Sequence, residues 1–176
     1  GAGRSIDDRQ VAASMFVQGL AMHVVGTALA AEFVHGAVLR PDDDAVWVVP
    51  GHPTVVWGVD PVRGGDGSVP GDDQVADWVE HWLVGRFGRL IDAVRATTKV
   101  GRRMLEGNVA SGTLSNFVFL DWWERTDAMR NLADRFAAHP FLARHASLGE
   151  IEVQGRTGLR SERNSCCLLL RVDGAH

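Results

Sequence analysis

Apolar residues change their spacing several times along this chain. In residues 6–35, Val11, Met15, Leu20, Val24, Leu29 and Phe33 recur near a 3.6-residue period with alanines between them. That spacing predicts one long helix or two short ones. Asp7 and Asp8 suit its positive N-terminal end. Residues 37–60 are instead rich in β-formers, with runs at 37–40, 45–49 and 54–59. Proline, glycine and aspartate separate the runs at 41–44 and 50–53. Connections this short predict an antiparallel β-meander. Residues 61–73 are dense in glycine, proline and aspartate and read as a surface connection.

A second helical period begins near Asp72 or Asp73. Val75, Trp78, Val79, Trp82, Leu83, Phe87, Leu90, Ile91 and Val94 share one stripe. Gly85 and Gly88 weaken that helix. Gly107-Asn108 reads as a turn between helices, with Asn108 placed to cap the next one. Helical spacing resumes from Leu114 to Phe136 and stops at His139-Pro140, because the residue before a proline is pushed out of helical geometry. Residues 151–154 and 165–170 can then pair as strands around Gly155-Arg156-Thr157-Gly158. The expectation is one α+β domain over 1–176, mainly helical, with a small antiparallel β-meander and a C-terminal strand pair. Its parts are helix 6–35, meander 37–60, helices 73–138 and a tail at 151–176.

Composition fits this picture. The hydrophobic fraction is 45% and the charged fraction 23%, ordinary for a globular domain large enough to bury a core. No uninterrupted apolar run reaches the 18 or so residues of a membrane span. Charge is uneven: residues 1–80 carry a net −8 and residues 81–176 a net +4. The acidic first part argues against a nucleic-acid binder. The basic second part suits an acidic partner or an anionic ligand. The glycine cluster at 64–67 lacks the Lys-Ser/Thr ending of a phosphate loop. The Asp42-Asp43-Asp44 run lacks the glycine and distal glutamate of a calcium loop. No Gly-x-Ser-x-Gly elbow is present.

The chain has two cysteines, and they are adjacent: Arg163-Asn164-Ser165-Cys166-Cys167-Leu168-Leu169-Leu170-Arg171. Their Cα atoms lie about 3.8 Å apart across a trans peptide, shorter than a relaxed disulfide wants. Two buried thiols, two metal ligands and a redox pair are the readings left by the residues alone. So few cysteines make a reducing cytoplasm the expected setting.

The Arg-x-Ser-Cys-Cys segment, followed by an apolar run and a basic residue, resembles the C-terminal signature of the FhuF-like ferric-siderophore reductases. Leu105-Glu106-Gly107-Asn108 is similar to that family's Leu-Trp-Gly-Asn turn, with Glu106 in the tryptophan's place. The resemblance implies one FhuF-like domain that reduces Fe(III) in a ferric siderophore and releases Fe(II). It implies a [2Fe–2S] cluster with Cys166 and Cys167 as two of four ligands. The other two would come from a Cys-x-x-Cys expected just past His176, so the cluster would be incomplete in this chain. Asn108, Arg163, Ser165 and Arg171 become candidate neighbours of cluster or substrate. No catalytic residue is assigned. A ferredoxin or flavin reductase is implied as electron donor. The rival expectation is a cluster-free protein of related fold that binds a siderophore or a carboxylate through its arginines.

Overall fold

The computed structural model describes residues 9–31, 46–48, 55–57, 71–123 and 125–164. It has the expected α+β character: six α-helices and two separate two-stranded antiparallel sheets among those residues. The first helix, α1 (Arg9–Leu29), is continuous. β1 (Val46–Val48) and β2 (Val55–Trp57) pair antiparallel, Val46 opposite Trp57, as two strands of the expected meander. The strand expected at 37–40 and the turn at 42–44 lie outside the described residues.

Next come α2 (Asp72–Val79) and α3 (Phe87–Thr97), joined without a break by a π-helical segment, Glu80–Arg86. Gly85 sits in that wider turn, where an added Cβ would press on the Glu80 carbonyl at 3.2 Å. The amphipathic stripe is buried as expected: Val75, Trp78, Val79, Trp82, Leu83, Phe87 and Ile91 are in the core, with Leu90 and Val94 packed against it. The Gln74 side chain closes onto the Gly71 N–H at 2.9 Å and secures the start of α2.

The Gly107-Asn108 turn is a correction. α4 runs unbroken from Arg102 to Trp123 through both residues. Asparagine is tolerated there because its side chain bonds α1, which packs against this face of α4. Ser14 meets Asn108, Ala21 meets Gly112 and Gly26 meets Asn116, so the two helices run in the same direction. A Cβ on Gly112 would lie 3.1 Å from Ala21 Cβ and 3.2 Å from the Gln18 carbonyl. Tertiary packing thus overrides the local preference.

α5 (Asp127–Ala138) starts with Thr126, whose Oγ1 accepts the Met129 N–H at 3.1 Å. It stops before His139-Pro140 as expected. A short α6 (Pro140–His145) follows, with proline at its first position and His139 Nδ1 accepting the Phe141 N–H at 3.3 Å.

The expected C-terminal strand pair is present, with other bounds for its second strand. β3 (Ala146–Val153) pairs with β4 (Arg156–Arg163), and residues 165–170, expected as the second strand, lie outside the described residues. The turn sets these bounds. Gln154 and Gly155 have φ of 53° and 76°, the two positive values of a tight type I′ connection. A two-residue turn fixes the register at once, Val153 opposite Arg156. The free edge of β4 lies along α4, and side chains from the end of α4 and from Arg125 just past it serve that edge as a missing strand would. Asp121 accepts the Leu159 N–H at 2.9 Å, Trp122 Nε1 donates to the Leu159 carbonyl at 3.2 Å, and Arg125 donates to the Thr157 carbonyl at 2.9 Å. Gly158 lies flat under the Trp122 ring, where a Cβ would collide.

α1 is long and apolar enough to cross a bilayer by length and composition alone. A core helix passes the same test, and α1 buries Val17, Ala21, Val24, Val25 and Ala28 in the protein's own core.

Candidate functional site

Two of the sequence-derived candidates, Asn108 and Arg163, meet. Asn108 lies mid-way along α4 with no exposed surface. Its Nδ2 donates to both the carbonyl and Oγ of Ser14 on α1, each at 2.8 Å. Its Oδ1 accepts from the Arg163 guanidinium at the end of β4. One buried amide therefore ties α1, α4 and the last strand together, with both its ends satisfied. Asn108 is not a cap, and no part of it faces solvent.

The strand is held again one residue later. The Asn164 N–H donates to the His145 carbonyl at 2.9 Å, and Asn164 Nδ2 reaches the Arg144 carbonyl at 3.5 Å. These contacts fix the backbone immediately before Ser165, Cys166 and Cys167. Those three residues and Arg171 lie outside the described residues.

His145 closes the other side. It is 3% exposed, and its Nε2 lies 3.5 Å from Glu106 Oε2. Its Nδ1 is buried without a hydrogen-bond partner. Burial pushes the imidazole below its usual range. Glu106 opposes that shift, and Arg144 and Arg103 add to it. Glu106 also faces Arg102 at 3.4 Å, and Arg102 reaches Asp92 on α3. Glu106 is thus an ionic link between α4, α6 and α3. Sequence reading missed His145, and noted Glu106 only as standing in a tryptophan's place, not as an ionic partner. Their signal was weak: a histidine at a helix end and an acid four residues after Arg102.

A [2Fe–2S] cluster of this class needs four thiolate ligands. The chain supplies two thiols. Among the described residues there is no group of three or more His, Cys, Asp or Glu side chains that could hold a metal ion. The residues here therefore fit half of such a site and do not complete it.

In comparisons with known proteins, the chain matches no family model, no curated protein and no solved structure.

Proposed function

We infer that this protein is a ferric-siderophore reductase. The reaction adds one electron to Fe(III) held by a siderophore and yields Fe(II) and the free chelator. The electron comes from an external donor of the ferredoxin or flavin-reductase class. The thermodynamic logic is that hard oxygen ligands favour Fe(III), so reduction weakens the chelate. The observation that carries the reading is the adjacent thiol pair, Cys166-Cys167, beginning three residues after a guanidinium anchored on buried Asn108. A redox centre needs ligands held by a rigid element, and the Asn108–Arg163 and Asn164–His145 contacts supply one. Cys166 and Cys167 would hold half of a [2Fe–2S] cluster, with two further ligands from outside these residues.

The test is an anaerobic visible spectrum with iron and sulfide analysis. About two irons and two sulfides per chain, bleached by reductant and regained with a ferric siderophore, is the expected result. Colourless, iron-free protein from anaerobic material overturns the reading. It would favour the second one, a cluster-free siderophore- or carboxylate-binding protein. That alternative draws on the donor count, two thiols where a cluster needs four ligands.

A further inference from the structure

The first helix has two sides of different character. Its inner side packs along α4, with Ser14 on Asn108, Ala21 at Gly112 and Gly26 at Asn116. The exposed residues on its outer side are Arg9, Met15, Phe16, His23 and Thr27. From residue 10 to residue 31 the chain has no Asp, Glu, Lys or Arg. A helix face turned to water ordinarily carries charge. This one presents Phe16 at 44% and Met15 at 41% exposure instead. Even the Thr27 hydroxyl is taken up within the helix, donating to the His23 carbonyl at 2.8 Å. An exposed apolar face without charge marks a contact surface.

The order of side chains along the face says what fits it. Arg9, Phe16 and His23 recur every seven residues, so they fall on one line, with Ala12 and Gly19 beside it. Large and small positions therefore alternate. Gly19 is a hollow: a Cβ added there would meet no atom within 4 Å. A second α1 laid antiparallel, about a twofold axis between residues 17 and 18, puts Phe16 of one protomer on Gly19 of its partner, and His23 on Ala12. The same register brings Arg9 to the other helix's last turn, which has no basic residue of its own. Carbonyls at a helix C-terminus carry partial negative charge and favour a cation. Size and charge thus match the face to itself. A lipid surface fits less well, because interfacial helices are rich in basic residues. α1 has none after Arg9, and residues 1–80 are net −8.

We propose that the outer face of α1 is a homodimer interface, in which two copies of this chain pair their first helices antiparallel and each Phe16 fills the hollow at Gly19 of the other copy. α1 has 21 residues, so the paired faces run about 31 Å. Contact along that length makes a small interface, near the roughly 1,200 Å² at the lower end for specific complexes. A dissociation constant on the order of micromolar follows. The inner side of the same helix holds Asn108 through Ser14, so the pairing also braces the buried amide that anchors β4.

The test is sedimentation equilibrium of the full chain from about 1 to 100 μM, alongside two charge variants, Phe16→Glu and Gly19→Lys. Wild type is expected to dimerise over this range. Each variant alone should pair at least about 100-fold more weakly, because the twofold axis buries each unpaired charge twice. Mixed in equal amounts, the two variants should dimerise again. In the mixed pair the introduced carboxylate faces the introduced amine in one layer, and Phe16 meets Gly19 as in wild type in the other. Gly19→Lys fills open space and removes a glycine from a helix, so in dilute solution it should melt at or above the wild-type temperature. That separates lost pairing from lost folding. A wild type that is monomeric at about 100 μM overturns the proposal, as does a dimer indifferent to both substitutions. Mixed variants that stay monomeric overturn the register and the interface with it. A monomeric wild type that sediments with phosphatidylcholine vesicles, and loses that binding in Phe16→Glu, assigns the face to lipid and overturns the dimer.

Discussion

Arg130 grips Asp121 with two N–H groups, Nε to Oδ1 at 2.7 Å and Nη2 to Oδ2 at 3.0 Å. Asp121 is 1% exposed and also receives the Leu159 N–H. This one carboxylate therefore joins α4, α5 and β4. Burial would raise its pKa, but the bonds from Arg130 and Leu159 outweigh that and hold it below the usual carboxylate range. Replacing Asp121 with asparagine leaves Arg130 with the exposed Glu150, at 2.6 Å, as its one carboxylate partner among the described residues. The expected cost is about 3 kcal/mol, as for breaking a buried pair from one side. Urea unfolding of Asp121→Asn against wild type checks it. Acid unfolding gives a second readout. With the folded pKa lowered, the carboxylate's contribution is complete above about pH 4 and is lost as pH falls towards the folded value. The variant should lack that part of the wild-type acid slope.

The α1–α4 contact makes a contrast between two glycines. At Gly112 an added methyl meets the Gln18 carbonyl and Met22 nitrogen, backbone atoms that cannot swing aside. At Gly26 it meets the end of the Asn116 side chain, which can. Gly112→Ala should lose about 1–3 kcal/mol through overpacking. Gly26→Ala should lose less, mainly the 3.0 Å bond from Asn116 to the Gly112 carbonyl. Thermal melts of the two variants decide the order. A larger loss at Gly26 would contradict the close helix approach described here.

Asn108 and Arg163 should be coupled. Asn108→Ala removes the one amide that both Ser14 and the Arg163 guanidinium bond, and leaves a part-buried guanidinium contact unmade. An unsatisfied buried group costs about 1–3 kcal/mol. Arg163→Ala leaves only the Asn108 Oδ1 unpaired and should cost less. A double-mutant cycle in urea should give an interaction of at least about 0.5 kcal/mol. Additive effects would mean that the contact does not anchor β4.

Much of the helical part was legible because burial imposes a period. The stripe from Val75 to Ile91 predicted its own buried face, and Pro140 marked the end of α5. The misreadings share one physical origin. Asn108 reads locally as a cap, yet its amide is satisfied by Ser14, ninety-four residues away. Residues 156–163 are too polar to read as a strand, and their free edge is met by Asp121 and Trp122 from α4 and by Arg125 just past it. The apolar run at 168–170 drew the prediction instead. At the candidate site, the sequence offered Asn108 and Arg163 separately. Their contact needs the folded β4, so only the structure could join them to His145 and Glu106.

His145 sets a second pH window. The groups facing it are Glu106 and Arg103 from α4 and its neighbour Arg144 from α6, with Asn164 on its backbone carbonyl. Burial is the largest influence and favours the neutral ring. The unfolded chain therefore takes up a proton near pH 6.5 while the folded protein resists it. Stability from this group is complete above about pH 6.5 and falls as pH drops towards the lowered folded pKa. This window lies above that of Asp121, so acid should weaken the protein in two separate steps. His145→Gln, which keeps a polar side chain near Glu106, should flatten the upper step and leave the lower one. Urea midpoints from pH 8 to pH 5 for both proteins test this. A wild-type midpoint that stays level across that range, or a His145→Gln slope equal to wild type, would show that the His145 ring gains its proton in the folded protein as readily as in the unfolded chain.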